Sequence, residues 1–159
     1  MAATTDSVRD HIASADELDW NETLSEILQA FDCTTGTLHI WDAEQKMLAV
    51  VAHQGIPDFL LPKMSLIPIG KGMAGIAAER RAPVQVCNLQ TDDSGVARPS
   101  AKDTKMEGSL AIPLLHENRL YGTLGIAKPV PYDFTDDEIN ALQKIGEAIC
   151  QRLRDVQPV

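Results

Sequence analysis

Residues 66–81 read Leu66-Ile67-Pro68-Ile69-Gly70-Lys71-Gly72-Met73-Ala74-Gly75-Ile76-Ala77-Ala78-Glu79-Arg80-Arg81. The apolar run 66–69 has the character of a short strand. Gly70 and Gly72 then allow a sharp turn, because glycine accepts backbone angles that other residues avoid. Residues 73–80 are rich in alanine and predict a helix. The unit is strand, glycine turn, helix. The first turn of such a helix has backbone N–H groups without partners inside it, which suits an anion or another ligand.

The same glycines spell G-x-G-x-x-G at Gly70, Gly72 and Gly75, and Asp92 follows Gly72 by 20 residues. A dinucleotide fold needs that motif inside alternating strand and helix units, which this chain lacks. Pro68 also sits in the strand before the turn, and proline cannot donate to a central ladder. No Lys-Ser/Thr pair follows, so the turn is not a P-loop either.

Composition narrows the classes further. The 159 residues suit one domain with a core of its own, 44% are hydrophobic and 23% charged. A net charge of -9 argues against a nucleic-acid or acidic-membrane partner. Cys33, Cys87 and Cys150 are sparse and lack C-x-x-C spacing, so neither a disulfide framework nor a zinc site is expected. The four histidines, His11, His39, His53 and His116, do not cluster at metal-ligand spacing. No signal peptide and no apolar run of membrane-spanning length is visible. The expectation is a cytoplasmic protein, or a domain of a larger one, without membrane insertion.

Outward from the glycine turn, the N-terminal side begins with a loose tail at 1–6. Val8, Ile12 and Ala15, then Leu24, Ile27, Leu28 and Phe31, recur at helical spacing and predict a helix over 7–31, broken near Trp20. Residues 37–41 and 47–53 predict an antiparallel hairpin around a polar turn at 42–46, which would bring His39 and His53 close. Gly55, Pro57 and Pro62 interrupt the next segment, with a short helical turn at 58–61.

On the C-terminal side, 83–86 predicts a short strand. Residues 87–105 then form a long polar loop, with a helical turn at 100–104; loops of that length in compact domains are often lids or binding loops. Residues 109–115 and 119–128 read as strands joined by a tight turn at Glu117-Asn118. Gly122 and Gly125 open the last strand to a bulge or to a close approach. Thr135 and Glu138 form a T-x-x-E capping box for a helix running to about residue 155. Along that helix Ile139, Leu142, Gly146, Ile149, Leu153 and Val156 alternate three and four residues apart, a coiled-coil-like seam.

In order and in detail the chain resembles a GAF domain, over nearly its whole length. The residues that carry the resemblance are Ile69-Gly70-Lys71-Gly72-Met73-Ala74-Gly75 with Ala77-Ala78, Ser109-Leu110-Ala111-Ile112-Pro113-Leu114, Gly122-Thr123-Leu124-Gly125-Ile126, and Phe134-Thr135-Asp136-Asp137-Glu138. The resemblance implies an α/β (α+β) fold, a GAF/PAS-like central antiparallel sheet of about six strands. The terminal helices would cover one face. A ligand pocket would lie on the other, under a helix and the long loop. A single GAF domain would span 7–156. The resemblance also implies homodimerisation through the terminal helices, with Ile139, Leu142, Ile149 and Leu153 as interface candidates.

Three chemistries known in such domains have residue signatures that this chain matches poorly. Cyclic-nucleotide binders carry Asn-Lys, Phe and Asp-Glu; Lys128, Phe134, Asp137 and Glu138 echo this, but Ala127 replaces the Asn and the spacing is one residue short. Bilin attachment uses a cysteine followed by histidine, whereas Cys87 precedes Asn88. Free methionine sulfoxide reductases need reactive cysteines in the pocket. Here Gly72-Met73-Ala74-Gly75 stands where they have Gly-Val-Cys-Gly, and 91–105 holds no cysteine.

The sequence therefore predicts a sensory or regulatory module in intracellular signal transduction, not an enzyme, that binds an unidentified small molecule. No cofactor is named by any residue pattern and no metal site is expected. The alternatives are a dimerisation scaffold with an empty pocket and, last, a reductase-like redox enzyme. The ligand-binding candidates are Met73 and Ala74 at the helix start, Asp92, Asp93, Ser94, Lys102, Asp103 and Met106 on the loop, and Ser109 and Ala111 on the floor. Lys102 would pair an anionic group, and the aspartates an amine or hydroxyl.

Overall fold

The first apolar repeat makes two helices. In the computed structural model, which describes residues 4–153, α1 is Thr5–Ser14 and α2 is Trp20–Ala30. Thr4 caps α1, its hydroxyl accepting from the Ser7 N–H at 3.1 Å, so the helix begins before residue 7 and takes in Thr5 and Asp6. Residues 1–3 of the expected tail lie outside the described residues. Asp19 caps α2 by accepting from the N–H groups of Asn21 and Glu22, and so the break falls just before Trp20.

Strands β1 (Thr35–Asp42) and β2 (Met47–Gln54) form the expected hairpin. A register shift between Leu38 and His39 sets His39 opposite Val50 and Thr37 opposite His53, so the two histidines are not neighbours. Helix α3 is Leu61–Met64, C-terminal to the helical turn expected at 58–61. Pro62 was read as a breaker, but proline fits a helix's first turn, where its missing N–H costs nothing. Strand β3 is Leu66–Ile67 and stops at Pro68.

Helix α4 is Gly72–Arg80 and β4 is Val84–Val86. The long loop follows, with a 3-10 turn over Pro99–Thr104. Strands β5 (Gly108–His116) and β6 (Arg119–Lys128) meet at Glu117 and Asn118, whose φ angles of 52° and 63° suit a tight hairpin turn. Helix α5 is Asp136–Arg152, with its capping box closed by Thr135 and Glu138. It ends at Arg152, short of the predicted residue 155.

The sheet has six strands, antiparallel throughout, in the order β3-β2-β1-β6-β5-β4. Helices α1, α2 and α5 cover one face, where Leu24, Ile27, Leu28, Leu38, Leu110, Ile112, Leu124 and Ile145 form the main core. Helix α4 lies on the other face, against β4, β5 and β6. Gly122 is needed in β6 because a Cβ there would run into the backbone carbonyl of His39.

In this packing the residues of the expected seam serve the core of their own chain. Leu142, Ile149 and Leu153 are buried among the core residues of their own chain, and Ile139 packs against them half-buried. The three-four spacing reflects one helix lying on its own sheet and on α1, which needs the same apolar stripe as a helix pair. Val156 lies outside the described residues.

The cyclic-nucleotide echo is also accounted for by the fold. Lys128 Nζ donates to the carbonyls of Phe31 and Asp32 at 2.7 and 3.1 Å, closing the C-terminus of α2. Phe134 is a core residue and Glu138 belongs to the capping box. Among the described residues no helix is long and apolar enough to cross a membrane.

Candidate functional site

Three neighbouring strands place small or polar side chains on the face away from α5. Thr35, Thr37 and His39 of β1 stand opposite Ala127, Gly125 and Thr123 of β6. On β5, Ser109 and Ala111 stand opposite Ala127 and Gly125. Directly opposed residues in an antiparallel pair share a face, so these positions form one shallow floor. With so little side-chain volume on the floor, the elements above it do not close down completely.

What remains is a cavity of about 120 Å³ between the floor, α3, the start of α4 and the long loop. That is several times the roughly 10–15 Å³ a single water needs. The roof is held in place by Gln90, whose side-chain amide donates to the carbonyls of Lys102 and Met106 at 3.1 and 2.7 Å. The Leu89 N–H donates to the Glu107 carbonyl at 2.8 Å and pins the near end of the loop. Those bonds account for the loop's course without any periodic apolar pattern.

The helix start is built as the sequence suggested. Gly72 has φ of 67°, in the left-handed region, and its missing Cβ makes room for the side chain of Arg98, whose Cγ and Cδ such an atom would meet at 3.1 Å. Lys71 is the N-cap residue but makes no side-chain capping bond, and no acid stands in the first turn. The N–H groups of Gly72, Met73 and Ala74 have no acceptors within the helix, and all three residues border the cavity.

Of the predicted site residues, Met73, Ala74, Met106, Ser109 and Ala111 border this cavity. Asp92, Asp93, Ser94, Lys102 and Asp103 do not. Asp92 instead accepts a hydrogen bond from the Ser94 hydroxyl at 2.7 Å, forming a local turn, while Lys102 and Asp103 are exposed to solvent. Sequence reasoning missed Thr35, Thr37, His39, Lys63 and Arg98, all of which border the cavity.

His39 is 1% exposed and its Nε2 lies 2.7 Å from the Met64 carbonyl. A carbonyl only accepts, so Nε2 carries the proton and Nδ1 presents a lone pair. Among the described residues Nδ1 has no partner, nor does the hydroxyl of Thr123, the residue opposite. Burial lowers the His39 pKa from its ordinary 6.5, against the opposing effect of the Met64 carbonyl. Folded His39 is thus neutral where an unfolded histidine takes up a proton. The unfolded chain binds more protons below about pH 6.5, so stability falls as pH drops through that window. Denaturant melts from pH 7 to pH 5 will show a shallower decline in His39→Gln than in the parent chain, by up to about 1.4 kcal/mol per pH unit.

No cysteine borders the cavity. Cys33 and Cys150 are buried, and burial pushes both thiols up to about 12, far from the thiolate form that redox chemistry uses. Cys87 is exposed. A thiol-reactive dye at pH 8 will label Cys87 alone in the native protein, and Cys33 and Cys150 only after denaturation. Among the described residues no group of three or more His, Cys, Asp or Glu side chains is arranged to hold a metal ion.

The family model described as the GAF domain matches residues 17–153. The structure is similar to the GAF domain of a phosphoenolpyruvate-protein phosphotransferase from Coxiella burnetii, at 19% identity and a TM-score of 0.79, over 95% of this chain and 92% of that one. The corresponding domain from Acinetobacter is similar at 14% identity and a TM-score of 0.75, over 96% and 93% of the two chains. Free methionine-R-sulfoxide reductase from Neisseria meningitidis, solved in complex with its substrate, is similar at 20% identity and a TM-score of 0.73, over 94% and 85%. Among curated proteins no significant match is found.

Proposed function

The chain belongs to the GAF domain family, and from that membership we propose that it is a small-molecule-binding sensory module of cytoplasmic signal transduction. The observation that carries this reading is the cavity under α4 and the long loop, bordered by apolar side chains, a few hydroxyls and the buried His39 rather than filled by side chains. Pockets of this kind, mostly apolar with a few convergent polar groups, are the usual form of a ligand site. The roof and floor belong to different parts of the chain. A ligand touching both would tighten the loop onto β1, β5 and β6, the strands whose opposite face carries the terminal helices. Binding energy would reach the helices through those shared strands, which requires two states of different affinity.

The reading is non-enzymatic. In favour of it stand the position of the three cysteines, none at the cavity, and the raised thiol pKa values of the two buried ones. The similarity to a methionine sulfoxide reductase makes the assay specific. Incubation with free methionine-R-sulfoxide and a dithiol is expected to give no turnover above the dithiol alone. A rate that alkylation abolishes would overturn the non-enzymatic reading.

A non-denaturing mass spectrum of protein purified from its expression host tests the binding reading. A retained mass that disappears on denaturation is expected, and that mass characterises the bound molecule. Bare protein in that spectrum, together with no binding across a library of small metabolites, would overturn it.

A further inference from the structure

We propose that the cavity takes a small carboxylate with a short apolar body, its charge held between the start of α4 and the side chains of Arg98 and Lys63. The proposal rests on the small-molecule reading above and names the class of molecule.

Among the described residues that border the cavity, Lys63 and Arg98 are the charged ones and none is an Asp or Glu. That is notable in a chain carrying net charge -9. Among the described residues neither Lys63 nor Arg98 forms an ion pair. The stem of Arg98 lies on Gly72, at the positive end of α4, where the first-turn N–H groups have no acceptors within the helix and no side-chain cap. A cation held beside the positive end of a helix is unfavourable by itself. A negative charge between the two satisfies both, along with the N–H groups of Met73 and Ala74. An arginine fork also matches a carboxylate in shape.

A second observation lies on the floor, where His39 is buried with one ring nitrogen unpartnered. That nitrogen accepts rather than donates, so a hydroxyl or N–H on the body of the ligand, and not the carboxylate, would complete it. Of the rest of the wall, Thr35, Thr37, Thr104 and Ser109 carry hydroxyls, and Ile56, Met64, Ile67 and Leu89 form its apolar part. A cavity of about 120 Å³ has room for on the order of ten water-sized groups, enough for a small carboxylate. The sum is an anionic head at the α4 end and a short body whose apolar side lies against Ile56, Met64, Ile67 and Leu89.

The test uses sodium butyrate, butyramide and butylammonium chloride as probes of matched shape, added to the isotopically labelled protein at constant ionic strength. Amide resonances of Met73 and Ala74 are followed. Butyrate is expected to shift them saturably, with butyramide and butylammonium at least tenfold weaker. Arg98→Gln should weaken butyrate at least fivefold, with Arg98→Lys between the two, and spectral dispersion verifies that each variant is folded. Equal or tighter binding of butyramide or butylammonium would overturn the carboxylate class while leaving the cavity as a binding site. Undiminished butyrate binding in folded Arg98→Gln would overturn the role given to Arg98 and with it this proposal. Absence of a saturable shift with all three probes would overturn this proposal, while the small-molecule reading stands or falls on the mass spectrum and the metabolite library.

Discussion

Leu142→Glu will leave little folded protein at 25 °C, whereas Leu142→Ala will fold with a loss of about 3 kcal/mol. Leu142 is fully buried, packed with Ile145, Ile149 and the leucines of β5. Truncating a buried leucine to alanine costs about 2–5 kcal/mol, from lost transfer energy and the cavity left behind. For a domain of this size each kcal/mol is worth about 2–4 °C in Tm. A carboxylate at the same place would stand among the apolar side chains of that core. An uncompensated buried charge costs on the order of 3–5 kcal/mol or more, against a total stability of about 5–15 kcal/mol for such domains. Circular dichroism and size-exclusion chromatography decide the matter together. If Leu142→Glu instead remains folded and only changes oligomeric mass, Leu142 lies at an interface between copies and the core placement is wrong.

Lys128→Met will lower stability by about 3–5 kcal/mol, although the substitution keeps an apolar stem of similar length. Lys128 is 7% exposed, and its ammonium donates to the carbonyls of Phe31 and Asp32 while lying 4.5 Å from the centre of the Tyr132 ring. Hydrogen bonds to a charged group are each worth about 1.5–3 kcal/mol. The aromatic contact adds on the order of 1 kcal/mol. Asp32 has φ of 53°, so the turn after α2 is held in a conformation that an aspartate adopts reluctantly. Without the ammonium that turn loses its fastening. Amide hydrogen exchange will show faster opening at 31–35 in Lys128→Met than in the rest of the sheet. Unchanged exchange there, with an unchanged melting curve, would show that the ammonium holds nothing in place.

These two side chains illustrate how legible the chain is. Lys128 was visible only as part of a nucleotide-binding echo, because its partners are backbone carbonyls 96 and 97 residues away. A backbone acceptor leaves no trace in sequence. Leu142 was placed on the right helix and on the right stripe, yet assigned to another copy of the chain. Three-four spacing says that one side of a helix is covered and does not say by what. The elements themselves read well where local chemistry dictates them. Glu117-Asn118 and Thr135 to Glu138 are examples, each a short motif whose geometry follows from a few side chains.

The site was half legible for the same reason. Met73 and Ala74 follow from the glycine turn, and Ser109 and Ala111 from the strand behind the loop. His39 and Arg98 were not found. The signal for His39 was present: Thr35, Thr37 and His39 alternate with apolar residues, and the strands beside them carry Gly125, Ala127, Ser109 and Ala111. A polar face beside so many small residues marks a hollow rather than a wetted surface. Arg98 gave no such signal, since it sits in a segment whose course depends on the distant carbonyls that Gln90 reaches. The acids at 92 and 93 drew attention by their charge, and Asp92 turned out to shape its own turn.

The alternation along β1, β5 and β6 has a consequence for how such a chain can change over generations. Even-numbered positions such as Leu38, Ile112 and Leu124 serve the helical core, while odd-numbered neighbours such as Thr37, His39, Ser109, Ala111 and Gly125 border the cavity. Mutation and selection therefore act on two interleaved alphabets written into the same strands. One is read by folding and tolerates little; the other is read by whatever enters the hollow and can drift or be recruited anew. A lineage built this way can exchange the molecule it responds to, one alternate residue at a time, without passing through an unfolded ancestor.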